Sequence, residues 1–171
     1  AIEQTVNKLH ALGHRRIAYA AGNLEYTNIA ARFRGYERAI KNLGLDHPKR
    51  HQQVFDQGNM ANGQQAVRDL FVDNDKPPTA VFFNNDWMAI GGMLEFARLG
   101  IRVPDDVSVI GCDNQATAVG VQPALTSIDL NLEQQVEVAL DMIQQQCDDA
   151  DCDPFQLLPA NLAWRQSTAE A

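Results

Sequence analysis

Residues 78–114, PTAVFFNNDWMAIGGMLEFARLGIRVPDDVSVIGCDN, commit this part of the chain to a sheet covered by helices on both faces. Ala80–Phe83 and the run 107–110 are short, β-branched or aromatic and wholly apolar, the pattern of strands buried on both sides. Strands of that kind run parallel and need a crossover. Residues 87–99 supply one: Ile90, Met93, Leu94 and Ala97 recur at helical spacing, and Gly100 is placed to stop the helix. In open α/β sheets ligands bind beyond the carboxyl ends of the strands. Here those ends carry Asn84, Asn85 and Asp86 after one strand, and Asp113 and Asn114 after the other.

The same alternation extends upstream. Ile2, Val6, Leu9 and Leu12 mark a helix stopped by Gly13, before an apolar strand at Ile17–Ala21. A second helix is expected over 29–43, with Phe33, Tyr36, Ala39, Ile40 and Leu43 inward and Gly44 as its stop. A strand over 52–55, a polar turn over 56–59 and a helix over 60–72 follow, and Lys76, Pro77 and Pro78 break the chain before the next strand. Connections of a few residues between alternating strands and helices predict a doubly wound, parallel, right-handed α/β sheet.

Beyond Asp113 the regularity lapses, and a change of lobe is expected near 123–128. Leu132, Val136, Leu140 and Ile143 then predict a strong helix, with Asn131 as its cap. An acidic loop over 148–154 and an edge strand over 162–165 close the chain.

Acidic residues outnumber basic ones 22 to 14, for a formal charge of −8, and no Lys/Arg stripe tracks phosphates. This segment is therefore not expected to grip nucleic acid itself. No apolar run approaches the roughly 20 residues of a membrane helix, and no basic, apolar leader opens the chain. Three cysteines, Cys112, Cys147 and Cys152, are no disulfide scaffold and fit a reducing compartment, which favours the cytoplasm. The chain opens on Ala1 within a helical pattern, so it is read as a fragment.

A polyhydroxylated ligand requires paired donors and acceptors, which Asn, Asp and Arg supply. The candidates are Arg32, Asn85, Asp86 and Asp113, all placed at one sheet edge by the expected topology. Each also has a structural explanation. On periodicity alone, helix capping is the stronger reading for Asn85 and Asp86, a solvated or ion-paired helix position is the stronger one for Arg32, and an Asx-turn with Asn114 competes evenly for Asp113. Capping and binding can coexist. No catalytic residue, cofactor or metal site is expected: the histidines lack ligand spacing, and Cys147 and Cys152 with their aspartates match neither a zinc nor a calcium pattern. His14 is read as shaping a turn, and Gly91 and Gly92 as a close packing point. No phosphate-binding glycine motif is present. Ile90, Met93 and Leu94 form an apolar stripe read as core, with a subunit interface as the other possibility.

At these residues the sequence resembles the effector-binding part of the lactose-repressor and galactose-repressor family of bacterial transcription regulators. The resemblance lies in LGHRRIAYAAG at 12–22, in Arg32 with Gly35 and Tyr36, in PTAVFFNNDWMAIGGM at 78–93, in GIRVPDDVSVIGCDN at 100–114 and in PALTSID at 123–129. It implies a periplasmic-binding-protein-like (type I) fold of two lobes, with a sugar, sugar derivative or nucleobase between them. By the same resemblance, Arg32, Asn85 and Asp113 contact ligand with Asp86 adjacent, and Ile90, Met93 and Leu94 belong to a homodimer interface. Residues 1–128 and 160–171 would form the C-terminal lobe, and 129–159 would pack on a first lobe. Operator DNA would be held only by a headpiece outside this stretch, with no membrane partner. Gly58 and Cys112 depart from aromatic residues frequent in relatives, leaving Phe55 or Trp87 as stacking candidates. A periplasmic sugar-binding protein of a transporter shares the fold and stands as the alternative.

Overall fold

A computed structural model describes residues 1–46, 48–148, 153 and 155–171. Its elements, in order, are α1 (Ile2–Ala11), β1 (Ile17–Ala21), α2 (Thr27–Asn42), β2 (Gln52–Val54), α3 (Met60–Phe71), β3 (Ala80–Phe83), α4 (Asp86–Leu99), β4 (Ser108–Cys112), α5 (Ala116–Gly120), β5 (Thr126–Asp129), α6 (Leu132–Cys147) and β6 (Asn161–Ala163). The sheet order is β2-β1-β3-β4-β5-β6. The first five strands are parallel, so their carboxyl ends share one edge, and β6 runs antiparallel to β5. The doubly wound α/β expectation is met. The acidic loop and Cys152 lie largely outside the described residues.

Two apolar layers flank the sheet. One gathers Val6 and Leu9 of α1 with Phe33, Tyr36 and Ile40 of α2 against Tyr19, Phe82 and Ile110. The other packs Ala66, Val67 and Leu70 of α3 with Met88, Ala89 and Phe96 of α4 against Val81, Phe83 and Val109. Alternate residues of each strand face opposite layers, which is why β1 and β3 are apolar throughout and β4 is apolar after Ser108.

The helix after β3 buries Ile90 and Met93 as its apolar spacing suggested, but leaves Leu94 and Ala97 outside. Ile90 and Met93 keep 7% and 8% exposure at the margin of the core, while Leu94 is 53% exposed and Ala97 is exposed. Met88, Ala89, Gly91, Gly92, Glu95 and Phe96 are inward as well. The physical reason is that α4 lies between the sheet and α3, so two of its sides are covered and burial follows small residues rather than a single apolar stripe. A Cβ on Gly91 would stand 2.1 Å from the Met60 carbonyl oxygen, and one on Gly63 would stand 2.0 Å from that of Met88. Backbone meets backbone there.

Glu95 is buried at 2% exposure because two arginines reach it from adjacent turns: Arg98 at 2.5 Å and Arg68 of α3 at 3.1 Å. Arg98 first, and Arg68 after it, hold its carboxyl down at about 2. A depressed carboxyl contributes stability above its ordinary pKa and loses it as pH falls through the folded value. The parent is therefore expected to lose urea resistance between about pH 4.5 and 2, and Glu95→Gln should flatten that loss. Equal urea midpoints for parent and variant at both pH 7 and pH 3 would refute the role.

Residues 165–171 lace the opposite, amino-terminal edge of the sheet. Ser167 donates from its amide to Ala124 O and from its hydroxyl to Val109 O, while accepting from Val109 N and Thr126 N. Ala171 N donates to Leu12 O. His14, 1% exposed, bridges Thr79 Oγ1 at 2.9 Å and Ala169 O at 3.0 Å, and burial lowers its pKa. It joins three segments, a larger task than the turn expected of it.

No residue of α6 is buried. Leu132, Val136, Leu140 and Ile143 are each more than half exposed, and Phe155 and Leu157 beyond the helix are more exposed still. Asn131 stands at the N-cap position with φ 53° but makes no capping bond; its side chain donates to Pro159 O instead, tying the outgoing strand to the returning one. Among the described residues, no helix is long and apolar enough to cross a membrane.

Candidate functional site

The carboxyl edge of the sheet brings Arg32 and Asp113 together from residues 81 positions apart. Arg32 sits in the second turn of α2, and the turn after β4 presents Asp113. Arg32 Nη1 donates to Asn84 O at 2.8 Å and Nη2 donates to Asp113 Oδ1 at 3.0 Å. Their side chains are 16% and 24% exposed, so the pair is open to the edge yet shielded behind it. Burial raises the Asp113 carboxyl despite the neighbouring guanidinium.

The turn itself is specialised. Asp113 and Asn114 both have positive φ, 106° and 48°, a region that favours glycine and costs most other residues energy. Asn114 and Asp129 stabilise it: Asn114 N donates to Ser127 Oγ, and Asn114 Nδ2 donates to Asp129 Oδ2 at 3.0 Å. Arg165 Nη2 donates to Asn114 Oδ1 at 2.6 Å, and Asn131 N donates to Asp129 Oδ1 at 2.8 Å. The turn is thereby connected to the segment leading into α6.

Asn85 and Asp86 occupy more enclosed places. Asn85 Oδ1 accepts from Met88 N at 2.8 Å, which caps α4, and Nδ2 donates to Gly58 O at 2.9 Å. Gly58 could not carry a side chain without meeting Asn85, since a Cβ there would lie 2.5 Å from Nδ2. Asp86 is fully buried. Its Oδ1 accepts from the Ser127 hydroxyl at 2.6 Å and its Oδ2 from Gln115 N at 2.7 Å, pinning α4 to the ends of β4 and β5. Burial pushes its carboxyl up to about 6.

Sequence reasoning missed Asn84, 2% exposed, whose Oδ1 accepts from Tyr19 OH while its backbone carbonyl holds Arg32. It placed Asn114 at the strand end only as a turn partner, and it missed Asp129 and Arg165. The polar cluster after β3 was a usable signal for Asn84, whereas Asp129 and Arg165 come together only through Asn114, which both of them hydrogen-bond. Cys112 is buried among Tyr19, Phe33 and Phe82, and burial pushes its thiol up to about 12, far from reactive thiolate character. Of the stacking candidates, Phe55 packs against the core and Trp87 is 44% exposed. Tyr26, at the start of α2, is a second exposed aromatic beside the same edge. Asp113, Asn114, Gln115, Asp129, Asn131 and Glu133 line an open recess of about 450 Å³ there. Among the described residues, no three His, Cys, Asp or Glu side chains gather to hold a metal.

A doubly wound, mostly parallel sheet with a polar turn beyond its strand ends is the architecture of the periplasmic-binding-protein class of fold. Residues 6–168 match the family described as the periplasmic binding protein-like domain, and the chain belongs to that family. It is 35% identical over 127 residues to the HTH-type transcriptional repressor CytR of Escherichia coli K12, covering 72% of this chain and 36% of that protein. It is 33% identical over 167 residues to catabolite control protein A of Priestia megaterium, covering 95% of this chain and 49% of the relative. The crystal structure of the Escherichia coli transcriptional repressor ascG superposes with a TM-score of 0.91 at 27% identity, over 98% of this chain and 60% of the other. The lactose-repressor and galactose-repressor resemblance holds for curated and solved relatives alike. The chain spans half or less of the length of these two curated relatives.

Proposed function

We propose that this chain is the effector-sensing lobe of a lactose-repressor-type transcription regulator, a repressor acting in the cytoplasm as a homodimer. The observation that carries this reading is the Arg32–Asp113 pair, held by Asn84 at the carboxyl edge of a periplasmic-binding-protein-like sheet. Asp113 accepts from ligand hydroxyls, and the remaining donors of Arg32 reach the same molecule. Asn85 and Asp86 complete the site from behind, through the cap of α4 and the Ser127 and Gln115 bonds. The ligand is a small polar effector: a sugar, sugar derivative or nucleobase. Nothing in the site calls for catalysis, since both oxygens of the buried Asp86 are committed to structural bonds.

Residues 129–159 pack on a first lobe, which covers the apolar face of α6; exposed Leu132, Val136, Leu140 and Ile143 support this. The outer shoulder of α4, with Ile90, Met93 and Leu94, pairs two copies. Effector binding changes the balance between two lobe arrangements, and operator DNA is held by a helix-turn-helix outside this segment. The shift is limited by how differently the effector binds the two arrangements. The transporter-component alternative has less support, because the relatives reported above are named as regulators.

The test is a thermal-shift screen of the full-length protein against sugars, sugar acids, sugar phosphates and nucleobases. A ligand at 100 times its dissociation constant stabilises by about 2.7 kcal/mol. Asp113→Ala is expected to weaken any hit at least tenfold. A variant that responds like the parent removes Asp113 from the site.

A further inference from the structure

Three polar side chains follow β3, and two of them are committed within the protein. Asn85 accepts from Met88 N and donates to Gly58 O, and Asp86 accepts from the Ser127 hydroxyl with one oxygen and from Gln115 N with the other. Asn84 is different. Its backbone N–H donates to Ala20 O at 2.8 Å, its backbone carbonyl accepts from Arg32 Nη1 at 2.8 Å, and its Oδ1 accepts from Tyr19 OH at 3.1 Å. Nδ2 donates to no group among the described residues. The residue is 2% exposed and Nδ2 is not sealed in, so the small accessible part of Asn84 includes this nitrogen. A donor left without an acceptor at such low exposure calls for a partner.

The Tyr19 hydroxyl decides which end of the amide is turned out. Ala80, Phe82 and Asn84 are alternate positions, and the first two share an apolar layer with Tyr19, so Asn84 follows them onto that side of the sheet. Tyr19 is fully buried, its ring set against Phe33, Tyr36 and Phe82. Its hydroxyl makes one hydrogen bond among the described residues, the one to Asn84. Burial raises the phenol far above its ordinary range, with Cys112, Arg32 and Asp113 acting on it as well, so it stays a donor. A buried hydroxyl with one partner places its proton on an acceptor. The amide therefore gives its oxygen to Tyr19 and keeps its NH2 for the accessible side, at the residue whose carbonyl holds the Arg32 guanidinium.

We propose that Asn84 contacts the effector directly, its Nδ2 donating to a ligand hydroxyl oxygen alongside Arg32, with Tyr19 as the positioning residue that fixes the amide. This inference rests on the receptor function proposed above. Asn84 is neutral and its amide is held at one end, so it adds direction to a site whose other groups, Arg32 and Asp113, are charged and already paired with each other. A ligand that lacks this hydroxyl leaves Nδ2 unpaired in a nearly closed place and is rejected for that reason.

The experiment measures affinities of the full-length protein by calorimetry for glucose, ribose and cytidine and for their monodeoxy forms. The parent, Asn84→Ala and Tyr19→Phe are compared, with the melting midpoint of each unliganded protein beside them. Asn84→Ala spares the backbone carbonyl that holds Arg32 and is expected to weaken a bound member roughly tenfold, and Tyr19→Phe, which keeps the ring and frees the amide, roughly threefold. The signature is a failure of additivity: one monodeoxy form that binds the parent more weakly than the whole ligand loses that disadvantage in Asn84→Ala, because donor and acceptor were partners. Equal affinities in the parent and Asn84→Ala, or a loss of the same size for the whole ligand and every deoxy form, make Asn84 a support of the strand end; either result overturns the inference and leaves the receptor function standing. A Tyr19→Phe variant whose melting midpoint falls while its affinities stay at those of the parent overturns the positioning role. A parent that binds no member of the panel removes the receptor function, and this inference with it.

Discussion

A Gly91→Ala variant is expected to melt roughly 4 to 8 °C below the parent, although alanine is the better helix former. The new methyl would meet the Met60 carbonyl oxygen at 2.1 Å, and that oxygen belongs to backbone, which cannot rotate aside. Gly63 faces Met88 O in the reciprocal position, so the two helices touch through glycines on both sides. Relief requires α3 to move away from α4, which loosens Ala66, Val67 and Leu70 from Met88, Ala89 and Phe96. Overpacking of this kind costs about 3 kcal/mol, and the gain in helix propensity returns about 1 kcal/mol. The net, about 2 kcal/mol, is a large part of a typical stability of 5–15 kcal/mol. Thermal unfolding followed by circular dichroism decides the matter. An unchanged or raised midpoint is what propensity alone predicts, and it would show that the helices separate freely.

Asp86 is expected to divide its substitutions sharply. Asp86→Ala leaves the Ser127 hydroxyl and Gln115 N–H without their acceptor and opens space beside Gly111, for a loss of about 2–4 kcal/mol. Asp86→Asn keeps an oxygen for Gln115 N–H and turns the other contact round, with the amide donating to Ser127 Oγ. It mimics the protonated acid and should cost under about 1 kcal/mol at neutral pH. The pH dependence follows from the raised carboxyl, from an ordinary 3.8 to about 6. Between those values the folded chain binds a proton that the unfolded chain lacks, so this group's contribution to stability rises as pH falls from about 6 to 3.8. Buried His14, with its lowered pKa, acts in the opposite direction below its ordinary 6.5. The measurement is therefore the difference between parent and Asp86→Asn in urea midpoint at pH 7 and pH 4.5. A difference that does not move with pH would mean that the carboxylate stays ionised in the fold.

The sheet was legible because its strands obey a rule that one sequence can display. Ile17–Ala21 and Ala80–Phe83 are apolar at every position, and only a sheet with two covered faces explains that. The site was legible as an edge, from the polar residues that follow β3 and β4, but not in its division of labour. Whether Asn85 faces a ligand or caps a helix depends on Gly58 O, which the fold brings from 27 residues away. Asp129 and Arg165 escaped notice because both act through Asn114, 15 and 51 residues away, which leaves no local pattern. The inward face of α4 was read only in part for a related reason: periodicity found Ile90 and Met93, yet the burial of Gly91 depends on Met60 and Gly63 of another helix. Glu95 illustrates the same limit, a charge that is core only because Arg68 and Arg98 reach it.

The lacing of the sheet by residues 165–171 imposes an order on its assembly. On a ribosome, β1 to β5 are complete before the bonds from Ser167, Ala169 and Ala171 to Val109, Ser108 and Leu12 can exist. All of α6 is synthesised in between, and it adds no buried residue to this sheet. The nascent sheet thus waits for these bonds while α6 is made, and the closing of that loop carries the entropy of a long-range contact. Completion of the sheet is coupled to the fate of a helix outside it, so the two ends of the excursion become part of a single cooperative folding event.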